Sequence, residues 1–148
     1  MTEDEFFGRV GDAMAKKAFP DETNPKDLIG VTKPNVFAVP PAAILHEAMA
    51  MNDGGNKYGF YNWREKKVRN SIYISACMRH LYQYLDGEDF DPKSKVHHLG
   101  HARACLGIIL DALETGNLVD DRPLHGAAPT MIRRYETNGT FDGRIDVV

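Results

Sequence analysis

The chain reads as an all-α protein, a helical bundle completed by oligomerisation. Three segments carry apolar residues at helical spacing. Alternating apolar and polar runs of the kind that mark half-buried strands are almost absent. At 148 residues, one domain can bury a core without disulfides or a structural metal. Three amphipathic helices leave that core thin, so a second subunit is expected to finish it.

The elements follow in order. Residues 1–19 can form a short helix with Phe6, Phe7, Val10 and Met14 on one side; Gly8 and Gly11 weaken it. Residues 20–41 hold Pro20, Pro25, Pro34, Pro40 and Pro41. Proline lacks an N–H and disfavours helix in the residue before it, so this stretch is expected to be extended, wandering chain. Asn24-Pro25-Lys26-Asp27 within it could cap, turn or bind. Pro40-Pro41 opens the first strong helix, because proline is tolerated in a first turn. Residues 42–52 follow, with Ile44, Leu45, Ala48, Met49 and Met51 apolar, and Gly54-Gly55 ends or bends the helix. Residues 57–64, rich in aromatic and polar groups, read as a structured loop.

The second strong helix is predicted over 68–85, with Ile72, Ile74, Cys77, Met78, Leu81 and Leu85 as buried positions and Asp86-Gly87 as its stop. The third is predicted over 96–114, where Leu99, Ala102, Leu106, Ile109, Leu110 and Leu113 recur at helical spacing. Gly116-Asn117 ends it. Beyond residue 118 periodicity fades. A short helix is expected at 131–135, then a tail that packs on a partner subunit or stays mobile.

Composition narrows the function classes. A hydrophobic content of 43% argues against disorder over most of the chain. Lys+Arg 18 against Asp+Glu 21 lacks the basic excess of a nucleic-acid-binding surface. No apolar run reaches the ~18 residues of a membrane span, and no signal region opens the chain. A soluble, cytoplasmic protein is expected. Cys77 and Cys105 lie in apolar helical patterns and read as small buried hydrophobes in a reducing compartment.

The densest chemistry lies in residues 87–101. Glu88, Asp89 and Asp91 precede a helix that begins with imidazoles, and His98 and His101, three apart, share a helix face. Oxygen beside nitrogen ligands suits a divalent metal. A polar loop before a solvated helix N-terminus, which favours Asp and Glu, fits the same letters. Glu88 and Asp91 could complete a metal site, cap the helix, or both. An EF-hand is rejected, since its Gly and final Glu are missing. Glu47 sits among apolar residues; facing inward, it would need a partner or a metal. His46 points about 100° away and reads as surface.

Lys57, Arg64, Arg69 and Arg79 are candidates for phosphate oxygens. Tyr58, Tyr61 and Trp63 could stack on a base, and Asn62 could read its edge; ordinary packing is the competing reading for each aromatic. His80 could be core, ligand or proton donor. No GxxxxGK[ST], GxGxxG or GxSxG is present.

An ordered succession of motifs now carries a resemblance. Asn24-Pro25-Lys26-Asp27-Leu28-Ile29-Gly30, Val39-Pro40-Pro41, Lys57-Tyr58-Gly59, Asn62-Trp63-Arg64, Arg79-His80-Leu81, Gly87-Glu88-Asp89-Phe90-Asp91-Pro92 and His98-Leu99-Gly100-His101-Ala102 together resemble the phage-borne dATP/dGTP diphosphohydrolase family, a branch of the MazG-like all-α nucleotide pyrophosphatases. The resemblance spans about residues 24–123, leaving an N-terminal segment 1–23 and a tail or arm 124–148. It implies hydrolysis of a purine (deoxy)nucleoside triphosphate between the α and β phosphates, releasing monophosphate and pyrophosphate. It also implies Mg²⁺ or Mn²⁺ and a homo-oligomer, dimer or tetramer. One branch, MazZ, would supply dGMP in phages that use 2-aminoadenine. The chain departs from the broader pattern of a Glu-Glu-x-x-Glu helix followed by Glu-x-x-Asp: its first helix keeps Glu47 alone, and the second element corresponds to His98-x-x-His101 or Glu88-x-x-Asp91.

The expected site follows from this. Glu47, His98 and His101 hold the metal with Glu88 and Asp91, and the metal activates a water. Lys57, Arg64 and Arg79 neutralise the leaving pyrophosphate. Trp63 and Asn62 hold the base, with His80 beside the substrate. A non-catalytic nucleotide- or partner-binding helical protein is the competing class. An HD-type phosphohydrolase ranks lower, because the chain has no His-Asp dipeptide.

Overall fold

The structure, a computed structural model, describes residues 24–135. The expected helix in 1–19 and the end of the tail lie outside the described residues. The described chain is all-α apart from one short strand pair.

The proline-rich stretch is more ordered than its prolines suggest. A short helix α1 (Pro25–Gly30) is capped by Asn24, whose Oδ1 accepts from Lys26 N at 3.0 Å. Pro25 in the first turn forfeits no helical hydrogen bond there. A 3₁₀ turn over Val36–Ala38 follows. Helix α2 (Pro41–Tyr58) then continues past Gly54 and Gly55 and stops at Gly59, φ 92°. The expectation that the glycine pair ends the helix is therefore corrected. Gly55 has another use: a Cβ there would meet the Phe60 ring at 2.5 Å, so the missing side chain lets Phe60 fold back onto the helix.

The expected loop over 57–64 splits between the last turn of α2 and a one-turn helix α3 (Asn62–Glu65). The second helix starts later than its apolar pattern implied. Val68–Arg69 form strand β1, and α4 occupies Asn70–Leu85. Asp121 caps α4, accepting from Ser71 N at 2.8 Å and from Ser71 Oγ at 2.6 Å. Helix α5 (His98–Glu114) is followed by strand β2 (Leu118–Val119), which pairs in parallel with β1. Helix α6 (Ala128–Tyr135) contains the short helix expected at 131–135.

Helix α5 is the shared element, packing against both α2 and α4. Small residues let it come close. A Cβ on Gly100 would meet the His46 carbonyl oxygen at 2.5 Å, and one on Gly107 would meet Glu47 Oε1 at the same distance. Ala102 and Ala104 are buried between these points and Ala112 beyond them, and the central cluster is Ala50, Val96 and Ala104 with Met51 against it. His46 is half-buried on this seam, with its ring edge-on to His97 at 5.2 Å, and is not a surface residue.

Among the described residues, several of the larger apolar positions expected in the core are exposed. Ile72, Ile74, Met78, Leu81 and Leu85 on α4 are exposed, as are Leu106, Leu110 and Leu113 on α5. Helices α2 and α4 bury the side of α5 that carries His98, Gly100, Ala102, Ala104 and Ala112.

Candidate active site

Where α2, α4 and α5 meet the loop 86–97, they enclose a cavity of about 350 Å³, within the range of small-molecule sites. Helix α2 contributes Asp53 and Lys57 one turn apart, so they pair at 2.6 Å. Tyr58, Asn62 and Trp63 follow from the end of α2 and from α3; α4 supplies Tyr73 and His80, and α5 supplies His101 and Cys105. Burial pushes the Cys105 thiol up to about 11, so it is an inert wall and not a nucleophile.

The loop between α4 and α5 delivers Asp91, Lys93 and Ser94 to the same cavity. It is a tight turn: Asp91 N donates to Val96 O at 2.9 Å, and Lys95 takes a left-handed φ of 61°. Asp91 Oδ1 accepts from Lys93 N at 2.9 Å and Ser94 N at 2.7 Å. The Ser94 amide bond is the largest cause of an Asp91 carboxyl held at about 2, so the group is an anion. Asp91 thus caps its own turn instead of helix α5. His97 caps the helix, its Nδ1 accepting from Leu99 N at 3.1 Å.

The imidazoles are linked. His98, wholly buried, has Nε2 at 2.8 Å from Glu88 Oε1 and Nδ1 at 2.9 Å from His80 Nδ1. His80 stacks on His101, with centroids 4.6 Å apart and planes 12° from parallel. His101 Nε2 shares a 2.8 Å hydrogen bond with Ser94 Oγ. Burial, reinforced by its imidazole neighbours, lowers the His80 pKa to about 4. Burial lowers that of His101 too, against the opposing pull of Asp53 and Asp91.

The expected site residues are thus divided. Lys57, Asn62, Trp63, His80, Asp91 and His101 share the cavity. His98 and Glu88 stand behind it, joined to His80. Glu47 does not face it: Glu47 pairs with Arg103 at 2.9 Å and lines a second cavity with Arg64 and Asp111. The Arg64 guanidinium is committed to Asp111 by bonds of 2.8 and 2.7 Å, and Trp63 Nε1 donates to the same carboxylate at 2.6 Å. Arg79 is exposed and donates to Ser75 Oγ.

Among the described residues no three His, Cys, Asp or Glu side chains converge as a metal cage, so the five expected ligands do not form one set. The donor chemistry still fits a hard divalent ion. Mg²⁺ commonly binds through one or two carboxylates plus substrate phosphates, not through an all-protein cage. Asp53 and Asp91 are the two carboxylates on the cavity wall.

Asp53, Lys93 and Ser94 were not singled out by the sequence. The Asp53–Lys57 spacing of four was a legible signal. Lys93 and Ser94 become visible only once the turn at Asp91 folds.

No curated protein and no solved structure matches the chain. A model of the family described as dATP/dGTP diphosphohydrolase, N-terminal, matches residues 23–122, which spans α1 through β2 and every residue of the cavity. The chain therefore belongs to the dATP/dGTP diphosphohydrolase N-terminal family.

Proposed function

We propose that the cavity binds a purine (deoxy)nucleoside triphosphate and hydrolyses it to the monophosphate and pyrophosphate. The observation that carries this reading is the meeting of Lys57 and Lys93, Asp53 and Asp91, and His80 and His101 in one cavity that also holds Trp63 and Asn62. Lysines suit phosphate oxygens. Trp63 and Tyr58 offer faces for a base, and Asn62 a hydrogen-bonding edge. Asp53 and Asp91 would hold Mg²⁺ or Mn²⁺ beside the triphosphate. A divalent ion there supplies charge neutralisation to the phosphate oxygens.

In the proposed reaction a water oxygen bonds to the α-phosphorus. The bond from that phosphorus to the α,β-bridging oxygen breaks, and its electron pair leaves with pyrophosphate. Lys57 and Lys93 meet the charge that develops on the leaving group. Water supplies the new oxygen of the monophosphate, and its proton must pass to a nearby base. Arg64 and Arg79, engaged with Asp111 and Ser75, have no part in this account. The role we propose is remodelling of a nucleotide pool, as the resemblance to a phage-borne family implies.

The assay incubates the protein with each dNTP and NTP, with Mg²⁺, Mn²⁺ or chelator, and separates the products. Monophosphate plus pyrophosphate from a purine substrate, abolished by chelator, is the expected outcome. Nucleoside plus triphosphate would move the reading to HD-type chemistry. Binding without turnover would move it to a non-catalytic module.

A further inference from the structure

We propose that Glu88, His98 and His80 form a chain of hydrogen bonds that leaves His80 Nε2 as an unprotonated acceptor at the cavity wall, the base for the attacking water. The inference rests on reading the cavity as the triphosphate site. It assigns His98 and Glu88 as positioning residues and leaves neither of them to the metal.

The argument follows protons. A carboxylate can only accept, so the 2.8 Å contact between Glu88 Oε1 and His98 Nε2 places a proton on that nitrogen. We take the His98 ring, wholly removed from solvent, as the neutral partner of Glu88. Its Nδ1 then carries a lone pair. The 2.9 Å contact between the two Nδ1 atoms needs one proton, and His80 supplies it. His80, whose pKa burial and neighbouring imidazoles lower to about 4, carries one ring proton at neutral pH. That proton sits on Nδ1, so Nε2 is bare, and it is the nitrogen left for the cavity that His80 lines. Stacking on His101 holds the ring plane. A histidine oriented by a second group through its far nitrogen recurs wherever a ring must accept a proton in one direction.

In the reaction, as water oxygen bonds to the α-phosphorus, one water proton passes to His80 Nε2. The resulting imidazolium is stabilised through His98 by Glu88. The second water proton stays on the product phosphate and is released to solvent.

The test reads ring tautomers in the full-length protein by two-bond proton–nitrogen NMR on heavy-nitrogen-labelled histidine. His80 should show a protonated Nδ1 and bare Nε2, and His98 the opposite. Glu88→Ala should scramble the His80 signature and lower kcat by about 10–100-fold, the usual cost of losing an outer orienting partner. Glu88→Gln, whose carbonyl still accepts from His98 Nε2 but carries no charge, should restore the His80 signature and leave kcat below wild type. His80→Gln should lower kcat by about 100–10,000-fold with little change in KM. A protonated His80 Nε2 in the wild type would overturn the chain, as would an unchanged signature in Glu88→Ala. The wild-type spectrum answers the question even if a variant fails to fold. The predicted tautomers in a protein that turns over no nucleoside triphosphate would contradict the hydrolase reading and leave the chain standing.

Discussion

Lys57 and Asp111 show how the same kind of contact serves different ends. Lys57 pairs with Asp53 at the cavity, and the pairing raises its pKa, so it is a fixed cation where the triphosphate is proposed to bind. Lys57→Met should raise KM for the triphosphate by about 10–100-fold, the range for losing a hydrogen bond to a charged group, with a smaller effect on kcat. Steady-state kinetics on the product assay checks this. Asp111 lies away from the cavity and ties α3 to α5 through Trp63 and Arg64. Arg64, then Trp63, holds its carboxyl at about 2, below the ordinary value. A depressed carboxyl stabilises the fold above its unfolded pKa of about 3.9 and loses that contribution as pH falls towards 2. Asp111→Asn should therefore unfold at lower denaturant than wild type at pH 7, with the gap closing below about pH 4. A gap independent of pH would contradict the assignment. The residues that line the cavity were partly legible. Lys57, Asn62, Trp63, Asp91 and His101 stood out by type. Nothing in the letters said that Arg64 would be spent on Asp111, or Glu47 on Arg103, because a charged residue's partner lies about fifty positions away in both cases.

The elements were legible where periodicity ran long and illegible where it was short. The helices at 41–58, 70–85 and 98–114 follow apolar spacing. The β1–β2 pair has two residues on each side, too few to show alternation. Glycines misled in one place, because Gly54 and Gly55 sit inside α2 and only Gly55 has a packing reason. The same geometry predicts opposite outcomes at two glycines of α5. At Gly100 an added methyl meets backbone, the His46 carbonyl. At Gly107 it meets the end of the Glu47 side chain, which can swing aside. Gly100→Ala should cost about 1–3 kcal/mol as an overpacked seam, and Gly107→Ala clearly less. Thermal unfolding of the two variants side by side decides it; equal losses would mean that α2 and α5 are not held as closely as described.

At the scale of the molecule, the exposed apolar stripes of α4 and α5 carry the next expectation. Leu85 is 77% exposed and Leu110 63%, and burying such a side chain contributes about 1.5–3 kcal/mol. Proposed as the face that a second copy covers, the stripe predicts a dimer or tetramer at micromolar concentration in sedimentation experiments. Leu110→Glu should shift the protein towards monomer. A wild-type monomer at those concentrations would remove the subunit argument. The all-α class was legible because three segments carry apolar residues at helical spacing and strand-like alternation is almost absent. Which side α5 would bury was not, since its small residues and its leucines are both apolar on paper.

As proposed, this cavity directs water to the α-phosphorus of a purine nucleoside triphosphate. The most direct measurement is turnover in water labelled with heavy oxygen, followed by mass analysis of the products. Attack at the α-phosphorus should leave one heavy oxygen in the nucleoside monophosphate and none in pyrophosphate. Label in pyrophosphate, release of orthophosphate, or no turnover with any divalent ion would contradict it.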